Sequence, residues 1–380
     1  MLKRIFLENF KSWRRLDIQL APLTLLFGTN NSGKSSILQA LLMLKQTLLS
    51  DDPAQALNLG GNRVDFVDLG SYADLIYAHD EQRQLTLAVT FAPTPAQQSL
   101  FVGELAEYRA TWQLTDEVVR HESVEPEVRM LLKDMLDRVF YMAPLRAHAK
   151  RVYQLRGAAP RRVNRYGENA LDVLLAAERR TEGALSRVAN ALAQLGLAEQ
   201  FQIRPLDTEG RFYEPRLTIE GQEVSLADVG SGVSQVLPVI TLLFTAPQNA
   251  IVLLEHPELH LHPSAQAALA DVLLAAAEAH KLQLLVESHS EYLLTRLQRR
   301  IAERATAFAT PQNILAYFCQ PSSDGAQIQA VEVNAYGQIL NFPPNFFGDL
   351  SGDLEATTRA GLRARRQELE ASSHDRPADS

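Results

Sequence analysis

The 380-residue sequence contains one cysteine, Cys319. A single thiol excludes an internal disulfide, and it excludes a cysteine-built zinc finger or hook within one chain. No uninterrupted apolar run approaches the ~20 residues needed to cross a bilayer. The opening stretch MLKRIFLENFKSW is basic. It lacks an apolar core and a small-residue cleavage site, so it does not read as a secretory signal. Internal repeats and long low-complexity tracts are missing, and no heptad pattern is long or regular enough for an extended coiled coil. The expectation from these absences is a cytoplasmic protein with no membrane contact. The net charge of −8 argues against a protein that coats nucleic acid with its whole surface, while a local basic stripe stays compatible with it.

There is ample material for a core. Hydrophobic residues make up 46% and charged residues 22%, and the length suits two domains, or one large domain with an insertion. Strand patterns occur at Lys3 to Leu7, Leu16 to Leu20 and Leu23 to Phe27, and again at Gln84 to Phe91. Helical periodicity appears from Pro126 to Phe140 and from Glu168 to Leu197. Residues 250–286 give a βαβ reading: AIVLL as a buried strand, Pro263 to His280 as an Ala-rich helix, and LQLLV as a second buried strand. Parallel strands need such a crossover, which predicts an α/β protein with a mostly parallel central sheet. Further strands are expected at Ile314 to Phe318 and Ile328 to Val333, and a short charged helix with a polar tail from about Asp349.

Gly28, Thr29, Asn30, Asn31, Ser32, Gly33, Lys34 and Ser35 form G-x-x-x-x-G-K-S between a buried strand and a helix. This is the phosphate-binding loop in its required context. The glycines let backbone N–H groups turn inward around a phosphate. Lys34 supplies a point charge, Ser35 can ligate Mg²⁺, and the helix N-terminus adds its dipole. The expected cofactors are ATP and Mg²⁺. The acidic Mg²⁺ partner belongs at the end of a buried strand, and Leu253-Leu254-Glu255 offers one. Its distance from Lys34 in sequence implies an inserted domain. No N-K-x-D guanine-reading motif occurs, which argues against a GTPase.

RIFLENFKSW, GTNNSGKSS, VDLGSYADL, YMAPLRAHAKRVY, DVGSGVSQVLPV, LLEHPELHLHP and VESHSEYLLTRL follow one another in an order that resembles ABC-type AAA ATPases of the RecF/SMC/OLD group. The resemblance spans roughly residues 1–350. GQILNFPPNFFGDL is similar to the ending of a bacterial subfamily of stand-alone ATPases. The resemblance implies a P-loop ABC-type ATPase head: a mostly parallel central sheet, an N-terminal antiparallel β lobe and an inserted mainly helical subdomain. The corresponding divisions are 1–100 for the first lobe with the phosphate loop and 101–220 for the insertion. The second lobe is then 221–348, and 349–380 is a charged tail. It also implies ATP sites shared between two subunits, with Gly28 to Ser36 holding nucleotide on one. On the other, a signature helix beginning at Ser231, Gly232, Val233, Ser234 and Gln235 faces the γ-phosphate. His289 stands where the family's switch histidine does. A zinc cluster of His256, His260, His262 and His289 is the alternative; no cysteine lies near them, and the resemblance accounts for them.

Two departures from the family stand out. Glu255 is followed by His256 where vigorous hydrolases carry a second acid, and Glu258 comes two residues later. A recognisable Q-loop glutamine is missing, with Asp65 or Asp68 as weak substitutes. Slow turnover is therefore expected, with Glu258 or His256 orienting the water. No D-x-D pair follows His289, so an appended Toprim nuclease domain is not expected. The leading reading is a nucleotide-driven switch that self-associates as a dimer or higher. It would act on DNA or on a separately encoded effector such as a nuclease, in anti-phage defence. The alternatives are a scaffold that scarcely hydrolyses ATP and a RecF-type DNA-repair ATPase; a transporter ATPase fits less well. Arg146, Lys150, Arg151, Arg156, Arg161, Arg162 and Arg165 lie in a segment without acids. It reads equally as a stripe for DNA backbone or as a solvated face with one or two arginines serving the ATP site, Arg146 being the structural or nucleotide-linked one.

Overall fold

In the computed structural model the described residues are 1–343 and 356–363 with 365. From the first range 51, 53–54, 62–65, 94–96, 98–102, 116–117, 124–125, 156–159 and 181–182 are excepted. Two compact units divide between Asn341 and Phe342. In the second, residues 356–363 are helical and exposed. All that follows concerns the first.

The chain opens with β1 (Leu2–Phe10), β2 (Trp13–Gln19) and β3 (Leu23–Gly28). Every residue of β3 is buried, whereas β2 largely alternates buried and exposed. Strands covered on both faces are continuous apolar runs, and strands with one wet face alternate. The two therefore join different sheets. β4 (Leu85–Phe91), β5 (Ala106–Thr115) and β6 (Val118–Ser123) complete an antiparallel sheet of order β2-β1-β4-β5-β6. β7 (Val139–Met142) follows a helix, Pro126–Asp137. A smaller antiparallel sheet holds β8 (Tyr153–Gln154), β9 (Gln200–Pro205), β10 (Phe212–Ile219) and β11 (Gln222–Ser225). Residues 101–220 are thus richer in strand than their helical periodicity suggests. The outward charges of β5, Glu107 and Arg109, hide its buried alternate face. The helical pattern from 168 to 197 is two helices, Ala170–Arg180 and Ala184–Gln194, the second starting after Gly183 at φ 92°.

β12 (Ile251–Glu255), β13 (Gln283–Glu287), β14 (Ile314–Gln320) and β15 (Gln327–Val331) complete the central sheet, of order β15-β14-β3-β13-β12-β7. Its pairings are parallel except at the β15 edge. Helix Pro263–His280 is the crossover between β12 and β13, with Pro263 in its first turn and His262 as its N-cap. Register aligns Glu255 with Glu287 and Glu287 with Leu26. Three strand ends therefore lie side by side, next to the phosphate loop. The side-chain amide of Gln283 pins β1 to this sheet by bonding Leu2 N at 2.8 Å and Leu2 O at 2.8 Å. No helix among the described residues is long and apolar enough to cross a membrane.

Candidate nucleotide site

β3 ends at Gly28, φ 142°, hard against β14: a Cβ there would lie 2.0 Å from Cys319 O. The loop then turns through Asn31 at φ 60° and Gly33 at φ 87° into helix Lys34–Leu48. A Cβ on Gly33 would meet Ser12 Oγ at 2.6 Å and Trp13 Nε1 at 2.8 Å. Both glycines are required by close backbone approach as well as by φ. Trp13 Nε1 donates to Gly33 O at 3.0 Å, fixing the loop's end to the N-terminal sheet. Lys34 is buried, its Nζ donating to Thr29 O at 2.7 Å and Gly28 O at 3.1 Å. Burial lowers its pKa.

Around this loop lies a cleft of about 580 Å³. Asn30 through Ser36 form one wall, with Lys11, Ser12 and Gln39 beside them. His256, Glu287 and His289 also line it. The two imidazoles stack, ring centres 5.0 Å apart and 9° from parallel. His256 reaches the cleft because its backbone is left-handed, φ 44°, with its N–H bonded to Glu287 O at 2.9 Å.

The carboxylates divide into distinct environments. Glu255 is buried and accepts a hydrogen bond from Tyr141 Oη at 2.9 Å. Burial, then the charge of Glu287, pushes its pKa up to about 7. Burial likewise raises Glu287, whose Oε1 accepts from Ser35 Oγ at 2.9 Å and lies 3.5 Å from His256 Nε2. Glu258 is buried, yet its pKa is lowered: the penalty of burial is outweighed by the pairing with His256 and the bond from His289 N at 2.9 Å. His256 is raised, because Glu258, Glu287 and Glu255 outweigh burial. His289 is pushed down to about 4 by burial and by the positive charges of Lys34 and His256. The site thus sets an acid shifted towards its charged form and an imidazole shifted towards protonation beside an imidazole shifted towards neutrality.

Several expected residues sit elsewhere. Helix Ser231–Thr245 begins after Gly230; Ser231 is exposed, but Ser234 and Gln235 are buried. Ser234 Oγ donates to Ser231 O, and the Gln235 amide exchanges hydrogen bonds with Arg146 N and O at 3.1 and 3.0 Å. Arg146 is 5% exposed, and its guanidinium donates to Glu255 O at 2.7 Å and His256 O at 3.2 Å. A buried cation cannot face DNA, so Arg146 leaves the stripe; it braces the backbone at the end of β12 without lining the cleft. Arg151 pairs with Asp228. Arg162 pairs with Asp137 at 2.8 Å, and Arg165 donates to Phe66 O at 2.9 Å. Lys150 and Arg161 are exposed, and Arg156 lies outside the described residues. The sequence has no acids in this segment, but the fold brings them from elsewhere. Asp65 also lies outside the described residues; Asp68 is exposed, bonds Gly70 N and does not line the cleft. His262 caps its own helix, and His260 is exposed.

Fold and cleft together define a P-loop ATPase. Residues 1–137 match the AAA ATPase domain family, and residues 121–295 match the AAA domain family described under AbiEii toxin and Type IV TA system. Residues 310–356 match a family described as protein of unknown function (DUF3696). An OLD nuclease of Thermus scotoductus is 24% identical over 330 residues, covering 76% of this chain and 59% of that protein. A DNA replication and repair protein RecF of Chloroflexus aurantiacus is 50% identical over 44 residues, 11% of each chain. The chain therefore spans less than two thirds of these relatives. Its fold is similar to that of an Smc head bound to the C-winged helix domain of ScpA (TM-score 0.54, 15% identity, 87% of this chain and 97% of that one). It is also similar to a Pyrococcus furiosus Smc head bound to a ScpA C-terminal domain (TM-score 0.55, 14% identity, 87% and 96%). The chain is thus similar to the ABC-type ATPases of the RecF/SMC/OLD group, with AAA-type ATPase domain matches across residues 1–295.

Proposed function

We propose that this ATPase binds Mg²⁺-ATP in the phosphate-loop cleft, hydrolyses it slowly, and pairs head-to-tail with a second copy while ATP is bound. The paired state would switch a separately encoded effector, a nuclease or toxin-like partner, in anti-phage defence. The observation that carries the reading is the cleft itself, in which Lys34 and Ser35 share one space with Glu287, His256 and His289. Lys34 and the loop N–H groups suit the β- and γ-phosphates, and Ser35 suits the metal. Bound Mg²⁺ would neutralise charge on the phosphate oxygens.

Within the chain, Glu258 is the ionised acid and the favoured acceptor of the water's proton. His256, whose pKa the neighbouring carboxylates raise, is better suited to face γ-phosphate charge than to act as a base. Ser231 and Gly232, at the solvent end of their helix, are the residues offered to the partner's nucleotide. Slow turnover follows from the indirect placement of Glu258, which does not line the cleft. The relatives named as a nuclease and as a repair protein support an effector or DNA as the target of the switch. Equilibrium binding of a fluorescent ATP analogue, with sizing in the presence and absence of ATP, tests the reading. Lys34→Ala should lose both nucleotide binding and ATP-linked association; unchanged affinity would remove its basis.

A non-hydrolytic scaffold is the second reading, favoured by the position of His256 where a second acid is expected. Single-turnover assays separate the two, since a scaffold returns ATP intact.

A further inference from the structure

We infer that Glu287 is a metal-binding residue: its carboxylate, together with the Ser35 hydroxyl, holds the Mg²⁺ that accompanies ATP. The inference rests on the proposed ATP reading of the cleft. It goes further by moving the metal's carboxylate from Glu255 on β12 to the neighbouring strand β13.

Ser35 Oγ donates to Glu287 Oε1 at 2.9 Å, so the carboxylate already touches the hydroxyl that a phosphate-loop metal would use. The Glu287 side chain is 3% exposed and lines the cleft. Its other oxygen, Oε2, is buried and accepts no hydrogen bond among the described residues. A carboxylate oxygen buried without a donor is costly unless a cation partners it. Lys34 Nζ stands 3.9 Å from Oε1, beyond hydrogen-bond length. Glu255 is placed differently. Its Oε1 is occupied by the Tyr141 hydroxyl, and it does not line the cleft.

The chemistry fits Mg²⁺ in particular. This ion is commonly held by one or two carboxylates and substrate phosphates rather than by an all-protein cage. Among the described residues no group of three or more His, Cys, Asp or Glu could hold a metal. Metal and triphosphate would therefore bind as a unit. Glu287 also has a sign-dependent effect. Facing bare triphosphate it repels; facing Mg²⁺-triphosphate it attracts. It should thus make nucleotide affinity strongly dependent on Mg²⁺.

The test is the affinity of the full chain for mant-ATP with Mg²⁺ and with EDTA, read as a ratio. Glu287→Gln is nearly isosteric and should lower that ratio about tenfold or more, with affinity in EDTA equal or higher. A residue with a merely structural role would lower both affinities together. Glu287→Asp, which withdraws the carboxylate by one methylene, should lower the ratio less. It serves as the reading should the glutamine variant fail to fold. Counting Mn²⁺ bound with ATPγS by electron paramagnetic resonance should show the same loss. A wild-type chain with a strong Mg²⁺ dependence that both variants retain would overturn the inference and leave the ATP reading standing. So would a ratio that collapses in Glu255→Gln but not in Glu287→Gln. A wild-type chain without affinity for mant-ATP overturns both.

Discussion

Glu258 and His256 are separated by one proline, and their surroundings give them opposite protonation. Glu258 is held below the ordinary carboxylate range by His256 and His289 N, while three carboxylates hold His256 above its own. Glu258→Gln is expected to slow ATP turnover, though by less than the roughly two to four powers of ten that loss of a base in direct reach of the water costs, because Glu258 does not line the cleft. His256→Ala should cost less and should change the shape of the pH profile. Because the His256 pKa is raised above 6.5, its charge is present below that value and is lost as pH rises through the folded-state pKa. Wild-type turnover should therefore decline on the alkaline side, and the alanine variant should lose that decline. A steady-state profile from pH 5 to 9 checks this; an alkaline limb unchanged in the variant would show that another group titrates.

At the scale of elements, the crossover helix is clamped to the helix that follows β13. Asp271 on Pro263–His280 accepts from Arg296 at 2.7 Å and from Arg300 at 2.6 and 2.9 Å, both on Glu291–Glu303. Burial opposes the charge on Asp271, but the two arginines hold its pKa below the ordinary 3.8. Its folded-state pKa is depressed. Its contribution to stability is thus present above 3.8 and is lost as pH falls through the lower folded value. Asp271→Asn should cost about 1–2 kcal/mol at neutral pH, discounted for the partly exposed arginines. The cost should shrink towards zero in strong acid. Urea midpoints at neutral and low pH measure it; an equal loss at both would assign the effect to packing. The clamp also bears on the cleft: His289 precedes the second helix by only two residues, so tilting that helix moves the imidazole.

For the whole molecule, the proposed shared site makes a prediction that no single chain can satisfy. Mixing a Lys34→Ala chain with a Ser231→Arg chain should restore one composite site per pair, and hence ATP-linked association and part of the turnover. Failure of two folded, mixing variants to complement would argue against sharing. The basic segment supports a narrower expectation than its composition does. Arg146 is buried and Arg151 and Arg162 are paired with acids. DNA binding, if the segment supplies it, should be weak and shallow in salt, losing about 0.9 in slope per phosphate contact removed. Neutralising Arg156, Arg161 and Arg162 together should flatten it further. A wild-type chain with no affinity for DNA at low salt would assign the segment to a protein partner.

The phosphate loop, the buried strands β3, β12 and β13 and the crossover helix are legible from the sequence because each is contiguous. Apolar runs, glycines and a lysine at fixed spacing carry their own physics. Glu287 ends a buried strand just as Glu255 does, and that signal could have marked it. What makes it distinctive is register: β13 lies between β3 and β12, which sets Glu287 against Ser35, 252 residues earlier. The burial of Arg146, the inward turn of Gln235 and the pairing of Arg151 with Asp228 were likewise decided by tertiary structure. A residue's type and neighbours fix what it can do, but burial and partners, which set its charge and reach, come from chain segments that sequence spacing does not bring together.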